Sequence, residues 1–324
     1  MLRDHAADLL ATKYGEAKRE FRSDGKKVDV YFEYKDLGRT HRIFLEAKDY
    51  DEPLGRSEVV HIKTDYDDLL RRNAPSILLI VTRAGLTSDA QAFIEVESDN
   101  TRHQTIWDIE TGLIELETYL RHLIDTYQTS GLSNYYVENG FSVRAPLAKE
   151  HEAHVLETKK MFAQGQSCFS ALNNWIAVDN ENAPVAVLGG YGTGKTSLAT
   201  KLAAHLAEGS LSNPHARQPI VLKLGQISQY ANIEGLIASH FTKTFPIRNF
   251  NFHNFISLNA KGRFVVILDG FDEMKHSMTW ADFKSQVKSL LLLQGEKSKV
   301  VLLESVQESG YRASRLVMSL IIAV

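Results

Sequence analysis

Hydrophobic positions in the first third of the chain fall into short alternating runs. Lys27–Glu33 (KVDVYFE) is β-branched and aromatic, and Thr40–Lys48 (THRIFLEAK) alternates its apolar residues, so both predict strands. Asp36-Leu37-Gly38-Arg39 between them is turn chemistry, which makes a hairpin the economical connection. Ser57–Arg72 then changes period: Val59, Val60, Ile62, Tyr66, Leu69 and Leu70 recur at helical spacings. Ser76–Thr82 (SILLIVT) has the short apolar run of a buried strand, and Gln104–Tyr127 reads as helical.

The pattern loosens from Ser130 to Pro146 into serine, glycine, asparagine and a proline, which marks an inter-domain connection. A charged helix is expected around Leu147–Phe162. Beyond it strands and helices alternate: strands at Val185–Leu188, Pro219–Leu224, Phe264–Leu268 and Val300–Leu303, with a helix over Thr196–Glu208. Strands separated by helical stretches imply a parallel sheet covered on both faces. The expected fold class is α/β throughout, with a first domain over 1–130, a linker helix region over 131–154 and a second domain over 155–324.

Composition narrows the setting. A length of 324 residues suits two domains, and 44% hydrophobic with 24% charged residues is ordinary for a soluble globular protein. A single cysteine, Cys168, rules out a disulfide framework or a thiolate metal site within one chain and points to a reducing, cytoplasmic setting. The first residues lack the apolar core of a signal peptide. The apolar patch around Leu316–Val324 is too short to cross a membrane, so no membrane partner is expected. A net charge of −3 argues against indiscriminate DNA binding by the whole chain, although Lys13, Lys18, Arg19, Arg22, Lys26 and Lys27 crowd one stretch. The twelve histidines are scattered without zinc-site spacing, and no zinc is expected.

Two constellations carry chemistry. Residues 185–197 read VAVLGGYGTGKTS, an apolar strand leading into Gly189-x-x-x-x-Gly194-Lys195-Thr196 and then a helix. Glycines, here Gly189, Gly190, Gly192 and Gly194, let successive N–H groups curl around phosphate, and the helix N-terminus adds its partial charge. Lys195 is expected on the β- and γ-phosphates of ATP, with the Thr196 hydroxyl on Mg²⁺ and Ser197 completing the loop. Residues 263–274 (RFVVILDGFDEM) end a buried strand in acids: Asp269 to hold Mg²⁺, Asp272 and Glu273 to orient or activate the attacking water. The phrase Leu268-Asp269-Gly270-Phe271-Asp272-Glu273-Met274 resembles the signature of NACHT-type NTPases of the STAND class, over about Val155 to Leu303. That family's next strand ends in Ser or Thr followed by Arg. Here Val300–Leu303 runs into Glu304-Ser305-Val306-Gln307, with no arginine before Arg312. Family members continue into helical and winged-helix subdomains and a repeat sensor. A chain that stops at Val324 is then expected to be a shortened product or a minimal relative.

The second constellation is Asp29 with Glu46-Ala47-Lys48. Residues 46 and 48 share one face of a strand, and the hairpin can set Asp29 beside them. Asp29 and Glu46 would offer hard oxygen ligands to Mg²⁺, while Lys48 would orient a water or steady developing charge. On its own such a pattern is more often a solvated face. The order helix, Asp-bearing strand, ExK strand, helix, apolar strand resembles the core of the PD-(D/E)xK restriction-endonuclease superfamily. Ile80–Ala90 (IVTRAGLTSDA) is similar to its Mrr-like branch, and the likeness runs from about Gly15 to Leu123. That resemblance implies a first-helix glutamate at the site, for which Glu16 and Glu20 are both available. Together the two domains resemble prokaryotic antiviral STAND proteins, implying a homo-oligomerising, nucleotide-switched nuclease effector acting on nucleic acid, with double-stranded DNA favoured by the Mrr-like features. An ATP-binding scaffold without nuclease activity, or an NTP-dependent restriction subunit, are the alternatives.

Overall fold

The computed structural model describes all residues except 1, 24, 98, 145–165, 180–181, 214, 248–249, 306–319 and 324. The chain forms two compact units, Met1–Ile114 and Glu115–Val324.

The first unit is a five-stranded sheet between helices. Helix α1 (Leu2–Tyr14) is followed by β1 (Lys18–Ser23), β2 (Lys26–Asp36) and β3 (Arg39–Lys48). Next come α2 (Arg56–Arg72), β4 (Ser76–Thr82), α3 (Ser88–Glu97), β5 (Thr101–Thr105) and α4 (Ile106–Leu113). Sheet order follows chain order; β1, β2 and β3 pair antiparallel, whereas β3, β4 and β5 are parallel. Alternating side chains sort onto two cores. Val30, Phe32, Ile43, Leu45 and Val81 pack with Ala6 and Leu10 of α1, while Phe44, Leu78 and Ile80 pack with Val59, Ile62 and Tyr66 of α2. β1 was not expected from its sequence: KREFRS is polar because it is an edge strand with little of either face buried.

The second unit begins earlier than its sequence suggested. Gln104–Tyr127 is not one helix: Thr105 closes β5 and caps α4, its Oγ1 accepting from Asp108 N at 3.0 Å. The chain then breaks at Ile114–Leu116, and α5 (Glu117–Thr129) packs in the second unit, where the Tyr119 hydroxyl accepts the Val221 amide at 2.8 Å. The short helix α6 (Leu132–Tyr135) and strand β6 (Ser142–Arg144) lie in this unit too, in the stretch expected to be a linker. The helix expected around Leu147–Phe162 falls outside the described residues.

The second sheet adds β7 (Val185–Gly189), β8 (Gln218–Lys223), β9 (Phe264–Asp269), β10 (Lys299–Ser305) and β11 (Leu320–Ala323). Its order is β6-β11-β7-β10-β9-β8; all neighbours are parallel except β6 on β11. β7 and the first five residues of β9 are buried throughout, which explains their unbroken apolar runs: helices cover both faces of a parallel sheet. Trp175 and Ile176 of the helix Cys168–Ala177 and Leu198, Leu202 and Ala203 of the helix Lys195–Ser212 close over Val187, Ile267 and Val301. No helix among the described residues is long and apolar enough to cross a membrane.

Candidate functional site

In the second unit, β7 ends at Gly189 and the helix Lys195–Ser212 starts six residues later. Gly192 (φ +79°) and Gly194 (φ +84°) are left-handed, a conformation that side-chain-bearing residues rarely adopt, and they turn the loop back over the strand end. Gly194 caps the helix without any side-chain bond, so the first-turn N–H groups are left for an anion. Lys195 Nζ donates to the carbonyls of Gly189 at 3.0 Å and Gly190 at 2.6 Å, tucked beneath the loop. Burial pulls its pKa below the ordinary lysine value, against the fields of Asp272 and Asp269.

The three acids after β9 take different positions. Asp269 lies opposite Thr196, whose hydroxyl donates to its Oδ2 at 3.1 Å. Burial pushes the Asp269 carboxyl upward, opposed by that hydrogen bond. A half-buried carboxylate and a hydroxyl meeting at the end of a phosphate loop fit the corner that Mg²⁺ occupies beside a nucleotide. Asp272 Oδ1 accepts the Ser305 amide at 3.1 Å, which ties it to the end of β10. Glu273 is exposed and rests against Gly225 and Gly270, where added methyl groups would crowd its carboxylate. Asn139 was not singled out from sequence. Its Nδ2 donates to Thr193 O at 2.9 Å, and with Tyr135, Tyr136, Val137 and Ser197 it lines a depression of about 300 Å³ beside the loop. Nothing in its local sequence distinguishes this asparagine from a linker residue.

The first unit brings Asp29, Glu46 and Lys48 together. The β1–β2 register runs from Arg19↔Val30 to Phe21↔Val28 and skips Glu20 and Asp29. The side-chain alternation of β2 breaks there, because Val28 belongs to one core and Val30 to the other. At the break, the Ala47 amide donates to Asp29 Oδ2 at 2.9 Å, which sets Asp29 against the ExK strand. Lys48 Nζ donates to Glu46 Oε1 at 2.8 Å, and the Tyr66 hydroxyl donates to Glu46 Oε2 at 2.6 Å. Burial raises the Asp29 carboxyl, the Ala47 bond opposes it, and the charge of Glu46 raises it further. Burial pulls Lys48 down, but its bond to Glu46 and the acid's charge outweigh that and hold it above the ordinary value.

Neither glutamate expected from the first helix joins this group. α1 ends at Tyr14, where Gly15 (φ +88°) bonds back to Ala11 O, so Glu16 and Glu20 both lie beyond the helix. Glu20 instead pairs with Arg3 at 3.0 Å and Lys27 at 3.2 Å. Among the described residues no three His, Cys, Asp or Glu side chains gather closely enough to hold a metal. The fit to a cation is that of a carboxylate pair, Asp29 with Glu46, which suits an ion that keeps several waters.

Residues 183–320 match the NACHT domain. The match takes in the phosphate loop and the acids after β9, and supports a nucleotide-binding NTPase in that part of the chain. An uncharacterized WD repeat-containing protein of Nostoc sp. is 28% identical over 196 residues, 56% of this chain and 12% of that protein. The chain thus spans a small part of that relative's length. Among solved structures, the MspJI restriction endonuclease in complex with a 27-mer oligonucleotide is similar at 18% identity and a TM-score of 0.23, over 33% of this chain and 27% of that one. A protein of unknown function is similar at 13% identity and a TM-score of 0.27, over 65% of this chain and 95% of that one. PCH-2 of C. elegans is similar at 12% and 0.28, over 69% and 52%. Likenesses this weak leave fold and chemistry to the geometry itself. Of the NACHT-like features, the Ser/Thr-Arg element that the resemblance implied is not at the end of β10, where Ser305 bonds Asp272; Arg312 lies outside the described residues.

Proposed function

We propose that the protein is a nucleotide-switched, Mg²⁺-dependent nuclease effector that cuts double-stranded DNA, works as a homo-oligomer in the cytoplasm and serves antiviral defence. The observation that carries the nuclease reading is the gathering of Asp29, Glu46 and Lys48 at a break in the β2 ladder. Two half-buried carboxylates beside one ammonium are costly to assemble unless a cation is to be held. Asp29 and Glu46 would hold Mg²⁺, which supplies a polarised phosphodiester and an acidified water. Lys48 would hold that water or the developing charge on phosphate. In the NACHT region, Lys195 would hold the β- and γ-phosphates of ATP, Thr196 and Asp269 the Mg²⁺ that accompanies it, and Glu273 would accept a proton from the attacking water.

The test is Mg²⁺-dependent cleavage of plasmid DNA by the full chain, with and without ATP. Asp29→Ala, Glu46→Ala and Lys48→Ala should each abolish cutting to a similar extent, because the three act as one unit and their effects do not add. ATP binding should survive in all three. An active wild type whose cutting persists in Glu46→Ala and Lys48→Ala would replace the nuclease by the ATP-binding scaffold.

A further inference from the structure

Tyr66 stands on α2, across from the strand that carries Glu46, and only 2% of it is exposed. Its ring is fixed from both sides: it packs in the core with Phe44 and Leu69, and Lys26 Nζ lies 3.8 Å from its centroid while donating to Asp65 O at 2.7 Å. Its hydroxyl reaches Glu46 Oε2 at 2.6 Å, while Lys48 takes Oε1 at 2.8 Å. The two oxygens of one carboxylate are therefore divided between a buried neutral donor and a half-buried charged one. Only the ammonium can be displaced by a metal ion without breaking the core.

We propose that Tyr66 is a positioning residue of the metal site: its hydroxyl holds one oxygen of Glu46 so that the other stays available to a divalent cation. This rests on the nuclease reading of that site. Without the hydroxyl the carboxylate can turn both oxygens to Lys48, and the ammonium then competes with the cation for the whole group. Outer-shell donors of this kind change metal affinity by about 10–100-fold.

The experiment titrates Mn²⁺ alone into the nucleotide-free full chain, reading free Mn²⁺ by electron paramagnetic resonance. Asp29→Asn should remove the site, and Tyr66→Phe should weaken it by about tenfold. Half-saturation of DNA cutting in Mn²⁺ should rise by the same factor in Tyr66→Phe, with the saturating rate retained. Lys26→Met touches the same ring but not Glu46, and should bind Mn²⁺ at least as tightly as wild type, since a neighbouring positive charge has gone. Wild-type affinity in Tyr66→Phe, with loss in Asp29→Asn, overturns the role of Tyr66 and leaves the metal site standing. An equal loss in Lys26→Met means that ring packing alone matters, which also overturns it. Wild-type affinity in Asp29→Asn removes the metal site itself.

Discussion

Replacing Gly225 with alanine tests the placement of Glu273 without altering the phosphate loop or the acid itself. Gly225 lies in the short 3-10 turn after β8. A Cβ built there would stand 2.2 Å from Glu273 Oε2 and 3.3 Å from its Cβ and Cδ, whereas ordinary contact begins at 3.4 Å. The carboxylate must therefore retreat by about 1 Å, and a displacement of that size from a productive position costs about a hundredfold in rate. Glu273 is exposed, so its tip can swing into water and the fold should lose about 0.5 kcal/mol or less. The assay is phosphate release from Mg²⁺–ATP, paired with titration of a fluorescent ATP analogue. Turnover should fall about a hundredfold, to the level of Glu273→Gln, with nucleotide affinity retained in both. Wild-type turnover in Gly225→Ala alongside an impaired Glu273→Gln would show that the orientation against Gly225 is not the working one. Wild-type turnover in both would remove Glu273 from the reaction.

Two further outcomes follow from the second unit. Lys195→Ala should weaken Mg²⁺–ATP by about a hundredfold, since a charge-assisted contact to phosphate contributes about 3 kcal/mol, and unchanged affinity for the fluorescent analogue would mean that the pocket is wrong. His240 is held by burial at a pKa of about 4, below its ordinary 6.5. The unfolded chain therefore binds the proton first, and stability should fall as pH drops from 6.5 towards about 4. His240→Phe should flatten that part of the curve in urea unfolding at a series of pH values; parallel curves would refute it.

The candidate site residues could be picked out of the sequence because they lie in contiguous runs. A phosphate loop needs its glycines, lysine and threonine in one run, since backbone amides and a helix start must meet the same anion. An ExK pair needs only the two-residue period of a strand. The strand runs at β2, β3, β4, β7, β9 and β10 were readable for the same reason, because burial on one or both faces fixes the hydrophobic pattern. What required the tertiary structure depends on contacts between distant segments. β1 is an edge strand whose polar sequence carries no burial signal. The unit boundary at Ile114 is set by the side on which α5 packs, through Tyr119 and Val221, not by the looseness of the sequence after Ser130. Asp29 reaches the ExK strand through an interrupted ladder that no periodicity announces, and Tyr66, twenty residues from Glu46, joins it only because α2 lies over that strand. Asn139 meets Thr193 across 54 positions in the same way. Local sequence determined which groups could do chemistry; packing at long sequence separation decided which of them stand together, because side-chain direction across a sheet is fixed only once the strands have paired.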